Sequence, residues 1–525
     1  MYKKAFARRI KGNKHLIHLW TDEGYEKVEW DNQAYVECSN EQSTCKGLNG
    51  ESLKKAKYWN NEDTRIHFGD MPAHQKFLIE KYGVNDTPST THRELFFDIE
   101  CEMGDALTPE YIASAPKRIT SIAWYDKQAD QWGIVILDEK QQLEHTKTKN
   151  NKEIIPCKDE VELLSKFLER FREIDPDIIV GWNSDYFDIP YLYYRLCNVL
   201  GKDFARFLSP IGYVRETPWY KDQFIQICGV ESLDYMRLHK KYSWADEPSM
   251  RLDAIGEKYV GMNKIEYEGN LDDLFNSDIN KFIKYNFVDV EILKLLDEKL
   301  DYLALTKNLA HKGKHNYSEV YANTKTQDGA ISAYLLSQDI VPPAKDRNPI
   351  FKKGYAGGYL FCPKAGIYNY VFDEDDLKRM PQDDELIIEN NKRIRTKVNV
   401  GRLIAMVEQN DLSISANGVL FNTERESVLS TILKKWFDER VLYKNEMKKA
   451  FQSGDKELGA SYHMKQYTMK ILLNSLYGAT ALGSFRYGNV VLSEAITLSG
   501  QRIIQESALA ANRHMNKVIK EGIEL

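Results

Sequence analysis

The chain has 525 residues, of which 42% are hydrophobic, 12% aromatic and 29% charged, with a formal net charge of -6. That length exceeds what one hydrophobic core sustains, so three or four domains of ordinary size are expected, and the composition excludes a disordered or fibrous chain. The mild acidic balance excludes no partner, because a nucleic-acid footprint can be confined to one face. Seven cysteines without a CxxC pair argue against a disulfide framework or a zinc module and fit a reducing compartment.

The N-terminal MYKKAFARRIKGNKHL is basic, but no apolar run follows it, and no stretch approaches the ~18 apolar residues of a membrane span. A soluble cytoplasmic protein without a membrane partner is expected. Residues 1–92 hold short strand-like runs such as HLIHLW and AYVEC and close on YGVNDTPSTTHRE, a linker composition. From Leu95 to about Asp301 strand signals alternate with helical ones: LFFDIE, ITSIAWY and GIVIL, the helix EVELLSKFLERFREI, then DIIVGW and the helix DIPYLYYRLCNVL. That alternation predicts an α/β sheet with helices packed on it. A hairpin pair, GYVRET and FIQICGV, follows, and helical segments resume at about Arg251. Beyond Asp301 come a helical connector to Gln338, the turn VPPAKDRNP and the Gly-rich KKGYAGGYLF. The last part has two long helical runs, ESVLSTILKKWFDERVLYKNEMKKAF and ELGASYHMKQYTMKILLNSLYG, joined by QSGDK, and a final helix from about Ser493.

Chemistry is concentrated in the α/β region. In LFFDIECE, Asp98 and Glu100 stand two apart on an apolar strand, so alternation puts both carboxylates on one face. In IIVGWNSDYFDIPYL a strand runs into a loop and Asp188 opens a helix, where it could equally serve as an N-cap. In KYNFVDVEILKLL, Tyr285 and Asp289 are four apart and share a helix face, as in any amphipathic helix with one exposed Asp. Four carboxylates on three elements of one domain, without His or Cys, suit Mg2+ or Mn2+. Two such ions about 4 Å apart would clamp the attacking and leaving oxygens of a phosphodiester. Tyr285, one turn from Asp289, would place the attacking water.

The segments FFDIE, NSDYFD and YNFVD resemble, in order, the three exonuclease motifs of family B DNA polymerases. The resemblance implies an RNase H-like 3′-to-5′ exonuclease in which Asp98, Glu100, Asp188 and Asp289 hold two Mg2+ or Mn2+ ions and Tyr285 orients water. It also implies that Asn183 and Phe187 contact a single-stranded 3′ end, where an aromatic ring can stack on a base. The segments SLDYMRLHKKYSWADEPSMRLDAIGEKYVG, KIEYEGNLDDLF and GYAGGYLFCPKAGIYNYV are similar to the T-even-type phage replicative polymerases, in which the hairpin around Val214 to Cys228 would help move primer between sites.

Between Leu429 and Lys470 nine basic and five acidic residues leave a local balance of +4 in an acidic chain. Arg440, Lys444 and Lys448 form one helical stripe, and Lys470, Asn474 and Tyr477 share a face on the next helix; a solvated helical hairpin would carry the same pattern. KILLNSLYG closely resembles the K-x-x-x-N-S-x-Y-G motif of the family B fingers, and RVLYK the R-x-x-x-K of the facing helix. By that resemblance Arg440, Lys444 and Lys470 grip the triphosphate of a deoxynucleoside triphosphate, Asn474 supports it, and Tyr477 and Gly478 border the nascent base pair.

The family's palm needs a D-x-x-S-L-Y-P-S strand and an Asp-Thr-Asp hairpin, and neither stands here in full. After GIYNYV comes FDEDDLKRMPQDDEL, so Asp373 or Asp375 is the candidate palm metal ligand, and the rest is expected to be a charged loop bridging a deletion. The expected organisation is α/β and α+β multidomain. It has an N-terminal domain over 1–92 completed by 303–346, an exonuclease domain over 93–302, a partial palm over 347–426, fingers over 427–482 and the start of a second palm segment over 483–525, with the thumb absent. The resemblance implies primer-template DNA, single-stranded 3′ ends and deoxynucleoside triphosphates as partners, with a separately encoded C-terminal polymerase subunit and replisome proteins completing synthesis, in the host cytoplasm if phage-encoded. Polymerisation by this chain alone is expected to be impaired. Two other readings stay open, a stand-alone 3′-to-5′ exonuclease and a non-catalytic primer-template binding protein.

Overall fold

Leu95, Phe97 and Ile99 point into one hydrophobic core, and the strand that carries them lies inside a seven-stranded sheet. Its strands are β1 (Glu94–Cys101), β2 (Ile119–Asp126), β3 (Gln131–Leu137), β4 (Thr146–Lys147), β5 (Lys152–Cys157), β6 (Ile178–Gly181) and β7 (Glu231–Asp234), in the spatial order β4-β5-β3-β2-β1-β6-β7. β2 runs antiparallel to both β1 and β3, whereas β1, β6 and β7 are mutually parallel. Set apart from the β4–β5 edge, this is the RNase H-like arrangement. Every residue of β2 is buried, because helices cover both faces of the sheet, and it reads as a run without polar alternation.

Helix α1 (Glu160–Ile174), capped by Asp159 accepting the Glu162 amide at 2.9 Å, seals the face that bears Phe97. Helices α2 (Asp188–Val199), α3 (Tyr235–Tyr242), α4 (Leu252–Val260) and α5 (Ile279–Leu300) follow. α5 packs on the opposite face, where Asn286 accepts the Ser121 hydroxyl at 2.8 Å. Helix therefore resumes before Arg251, at Tyr235, directly after the four-residue strand β7. ESLD is too short to show a period, and the signal that was present is Asp234, which caps α3 by accepting the Met236 and Arg237 amides.

The computed structural model describes residues 1–346 apart from 61, 62, 64, 105–107, 148–150, 220, 221 and 244–246, and residues 374–520 apart from 390–394, 417, 424 and 425. Two units result, Met1–Pro343 and Ala344–Leu525. In the first, a three-stranded antiparallel sheet spans Tyr2–Lys11, Lys14–Thr21 and Gly24–Asp31, and the strand Ile340–Val341 pairs in parallel with Cys45–Gly47. The Tyr2 hydroxyl donates to the carbonyls of Ala310 and His315 at 2.9 and 3.0 Å, so the segment after Asp301 is tied to the N-terminal strands. Its helices Tyr302–Gly313 and Asn323–Ser337 meet at paired glycines, and a Cβ on Gly329 would lie 1.7 Å from the Gly313 carbonyl oxygen. Gly329→Ala is expected to cost roughly 3 kcal/mol by forcing these helices apart. A lowered thermal midpoint with the far-ultraviolet dichroism of the folded protein preserved would show it.

The second unit has a hairpin of Glu385–Glu389 with Arg395–Asn399, a helix Val400–Gln409, a small hairpin of Leu412–Ile414 with Leu420–Asn422, and three long helices, α6 (Val428–Gln452), α7 (Lys456–Thr480) and α8 (Val490–Lys520). The stretch expected as a charged loop is instead a helix, Glu374–Arg379, then a turn and a strand from Glu385. Acidic residues begin that helix and Lys378 and Arg379 end it, as the helix dipole favours, while Leu377 is fully buried. GYAGGYLFCPKAGIYNYV and Asp373 lie outside the described residues, as does the side chain of Asp375.

Candidate metal and nucleic-acid cleft

Strand alternation turns Asp98 and Glu100 away from the Phe97 core and toward α5. There they meet Asp289, and one ligand oxygen from each of the three lies within 4.8 Å of the others. Tyr285 stands one turn before Asp289 on the same face. Asp188 is not the N-cap of α2; Phe187 is, and Asp188 is the first helical residue. Its Oδ1 accepts the Ile99 amide at 3.3 Å, on the strand between Asp98 and Glu100, so it sits behind the closest trio. Asn286 donates to Asp98 Oδ2 at 2.7 Å and fixes that carboxylate.

Burial raises the proton affinity of all four carboxylates, and neighbouring charge adds to it. Asp98 is held well above the usual carboxylate range by burial, then by Glu100, Asp289 and Asp188. Burial and the Asp289 charge push Glu100 up to about 8. Burial takes Asp188 to about 7 against the opposing Ile99 amide, and burial also raises Asp289 in spite of Lys264. Among the described residues Lys264 is the cation that pairs with the cluster: its Nζ pairs with Asp289 Oδ2, donates to the Tyr285 hydroxyl at 3.2 Å and lies 5.1 Å from that ring. Burial opposes its charge, yet Asp289 and Asp98 hold its proton more tightly than usual. Asp289 Oδ1 is buried and has no hydrogen-bond partner among the described residues. Clustered hard oxygens, an orphaned carboxylate oxygen and a lysine standing in as counter-charge fit a divalent cation.

A pH dependence follows for the metal-free protein. Glu100 and Asp188 bind protons more tightly folded than unfolded, so their contribution to stability is complete below about pH 4 and is lost as pH rises through 7 to 8. Denaturation midpoints in EDTA should fall between about pH 5 and about pH 8, and Glu100→Gln should flatten that slope.

A cleft of about 400 Å³ opens over the cluster, and Trp182, Asn183, Met250 and Arg251 line it together with Asp98, Lys264 and Tyr285. Trp182 Nε1 donates to the Met250 carbonyl at 3.0 Å. Asn183 adopts φ 63°, and its carbonyl accepts the amides of Tyr186 and Phe187 at 3.1 Å each, which folds the β6–α2 loop back on itself. Gly181 permits that fold, since a Cβ there would meet the Ser184 Cβ at 2.6 Å. Asn183 thus reaches the cleft. Phe187 does not: its half-buried ring packs on the sheet core, 5.4 Å from Tyr191. The sequence does not single out Lys264, Trp182 or Met250, since a lone Lys in KIEYEG and an isolated Met carry no period and Trp182 reads as the end of the strand run DIIVGW.

In the second unit α6 and α7 pack side by side, turning at Gly454 with φ 83°, where Asp455 caps α7 by accepting the Leu458 amide at 3.0 Å. The Tyr443 and Tyr462 rings stack across them at 6.3 Å. Arg440 and Lys444 are one turn apart on α6, Arg440 half-buried with its Nε enclosed and Lys444 exposed. On α7, Lys470 lies against the Tyr467 ring at 5.9 Å, Asn474 is exposed, and the Tyr477 hydroxyl bonds to Thr497 on α8.

Residues 71–255 match the family model "DNA polymerase family B, exonuclease domain", and residues 320–524 match "DNA polymerase family B". The chain is similar to the DNA-directed DNA polymerase of Escherichia phage RB69, 27% identical over 422 residues that cover 69% of this chain and 46% of the relative. It is 25% identical to the DNA-directed DNA polymerase of Enterobacteria phage T4 over 422 residues, 69% of this chain and 47% of that one. The DNA polymerase catalytic subunit of Equine herpesvirus 2 is 22% identical over 492 residues, 88% of this chain and 45% of the relative. The chain spans about half the length of the curated relatives it matches.

Proposed function

As the chain belongs to DNA polymerase family B, we propose that its cleft is a metal-dependent 3′-to-5′ exonuclease acting on single-stranded DNA ends. The carrying observation is the trio Asp98, Glu100 and Asp289, with ligand oxygens within 4.8 Å of one another under an open cleft. Asp98, Glu100 and Asp289 would hold Mg2+ or Mn2+, two ions in all, with Asp188 beside them. Bound there, the cations would lower the pKa of water and neutralise charge gathering on the phosphoryl oxygens.

The chain's own residues supply the rest. The Tyr285 hydroxyl, fixed by Lys264, faces the cleft and orients the water that attacks phosphorus. The bond from phosphorus to the 3′ oxygen of the penultimate nucleotide breaks, leaving a shortened strand with a 3′ hydroxyl and a nucleoside monophosphate. Asn183 contacts the single-stranded end, and Trp182, which lines the same cleft, is the aromatic residue available to a base. Phe187, packed on Tyr191, contributes by shaping the loop.

For the second unit we assign Arg440, Lys444 and Lys470 to the triphosphate of an incoming nucleotide, with Asn474 and Tyr477 beside the base pair. Two packed helices carrying those cations support this role. Synthesis needs palm carboxylates as well, for which Asp373 and Asp375 are the candidates, together with a separately encoded polymerase subunit and replisome proteins. Among the described residues no helix is long and apolar enough to cross a membrane.

Incubating the purified chain with a 5′-labelled primer-template and Mg2+, with and without nucleotides, tests both assignments. Shortening without extension is expected. Extension by this chain alone would overturn the reading of an incomplete palm.

A further inference from the structure

The loop that carries Asn183 into the cleft is gripped by a half-buried arginine that takes no part in the chemistry. Arg237, near the start of α3, pairs through NH1 with Asp185 Oδ2, and the two side chains are only 14% and 11% exposed. Its guanidinium lies 3.8 Å from the centre of the Tyr321 ring and 5.8 Å from that of Tyr186. Asp185 Oδ1 accepts the Ser232 hydroxyl at 2.7 Å, which anchors the same carboxylate to β7. Asp234 completes the clamp: its Oδ1 accepts the Asn183 amide at 3.0 Å while capping α3 through the Met236 amide at 3.0 Å. The Tyr321 hydroxyl donates to the Asp234 carbonyl at 3.1 Å. Tyr321 ends the short 3-10 turn Tyr317–Tyr321 in the segment tied to the N-terminal strands.

We propose that Arg237, stacked on Tyr321 and paired with Asp185, is a positioning residue that presents Asn183 to the single-stranded 3′ end. The inference rests on the exonuclease reading of the cleft. Asn183 has positive φ, a left-handed conformation that asparagine adopts more readily than most residues, so the turn forms locally and its placement over the cleft is what the surroundings must set. Two contacts from outside the loop do so, the Asp234 carboxylate on the Asn183 amide and the Arg237–Asp185 pair two residues along. Asp188, in contrast, is held separately through the Ile99 amide. Loss of Arg237 should therefore loosen the grip on DNA and leave the metal carboxylates in place, a separation that a merely structural role does not produce. The planar guanidinium matters, because an ammonium can keep the charge pair but cannot lie flat on the Tyr321 ring.

The test uses the whole chain and a fluorescently labelled single-stranded oligonucleotide. Its Kd is measured in EDTA, and KM and kcat for 3′ shortening are measured in Mg2+. Arg237→Ala should raise both Kd and KM by about tenfold, the size of effect seen when a supporting residue is lost, with kcat within about twofold of wild type. Tyr321→Leu should do the same, and Tyr321→Phe, which keeps the ring, should restore most of the affinity. If Arg237→Ala does not fold, Arg237→Lys decides, with a rise in Kd and KM of at least about threefold expected. Unchanged Kd and KM in folded variants, or a fall in kcat alone, would overturn the assignment. A wild-type chain that neither binds nor shortens the oligonucleotide would refute the exonuclease reading instead.

Discussion

Asp98→Ala is expected to slow removal of 3′ nucleotides on the order of a thousandfold or more, about 4 kcal/mol of lost transition-state stabilisation. Asp98 is the one carboxylate on which the other three all act, and Asn286 fixes its orientation at 2.7 Å. The isosteric Asp98→Asn should be nearly as inactive, yet it should make the metal-free protein more stable. It removes a buried charge from a group of like charges while keeping a partner for Asn286. Single-turnover shortening of a 5′-labelled oligonucleotide measures the first effect, and thermal denaturation in EDTA at about pH 8 the second. Activity unchanged in Asp98→Ala would favour the non-catalytic, DNA-binding reading.

Lys264→Met should destabilise the metal-free protein by about 3 kcal/mol, because it breaks an ion pair whose acidic partner, Asp289, is 1% exposed. The remaining partners of Asp289 are carboxylates, so the loss should grow as pH rises and shrink as the cluster protonates. Added Mg2+ should recover much of it by returning positive charge to the same place. Urea denaturation with EDTA and with Mg2+, at about pH 6 and about pH 8, separates these effects. A midpoint that falls equally in all four conditions would mean that Lys264 acts through packing alone. The same substitution frees the Tyr285 hydroxyl, so a lower kcat is expected even where folding is complete.

The trio was legible as sequence because two strict periods survive burial. Strand alternation sets Asp98 and Glu100 on one face, and the helical repeat sets Tyr285 and Asp289 on another. What brings the two faces together is the packing of α5 on the sheet, which no local pattern announces. Asp188 was legible as a helix start, but its bond to the Ile99 amide depends on β6 lying beside β1. Lys264 stayed hidden as one Lys in KIEYEG and Arg237 as one of several basic residues in YMRLHKKY, and their partners lie 25 and 52 residues away in sequence. The resemblance gave Phe187 a place against the single-stranded 3′ end, and its half-buried ring packs on the sheet core beside Tyr191. The helix Glu374–Arg379 escaped notice since EDDLKR carries a single apolar residue, too few for a period; that residue, Leu377, is buried in a cluster with Val398, Val400, Leu403 and Val407.

The most direct test of the exonuclease assignment is the pattern of products from a 5′-labelled single-stranded oligonucleotide incubated with the purified chain. Stepwise shortening from the 3′ end in Mg2+ or Mn2+, stopped by EDTA and absent in Asp98→Ala, is the expected result. No shortening with either metal, or shortening that persists undiminished in Asp98→Ala, would contradict it.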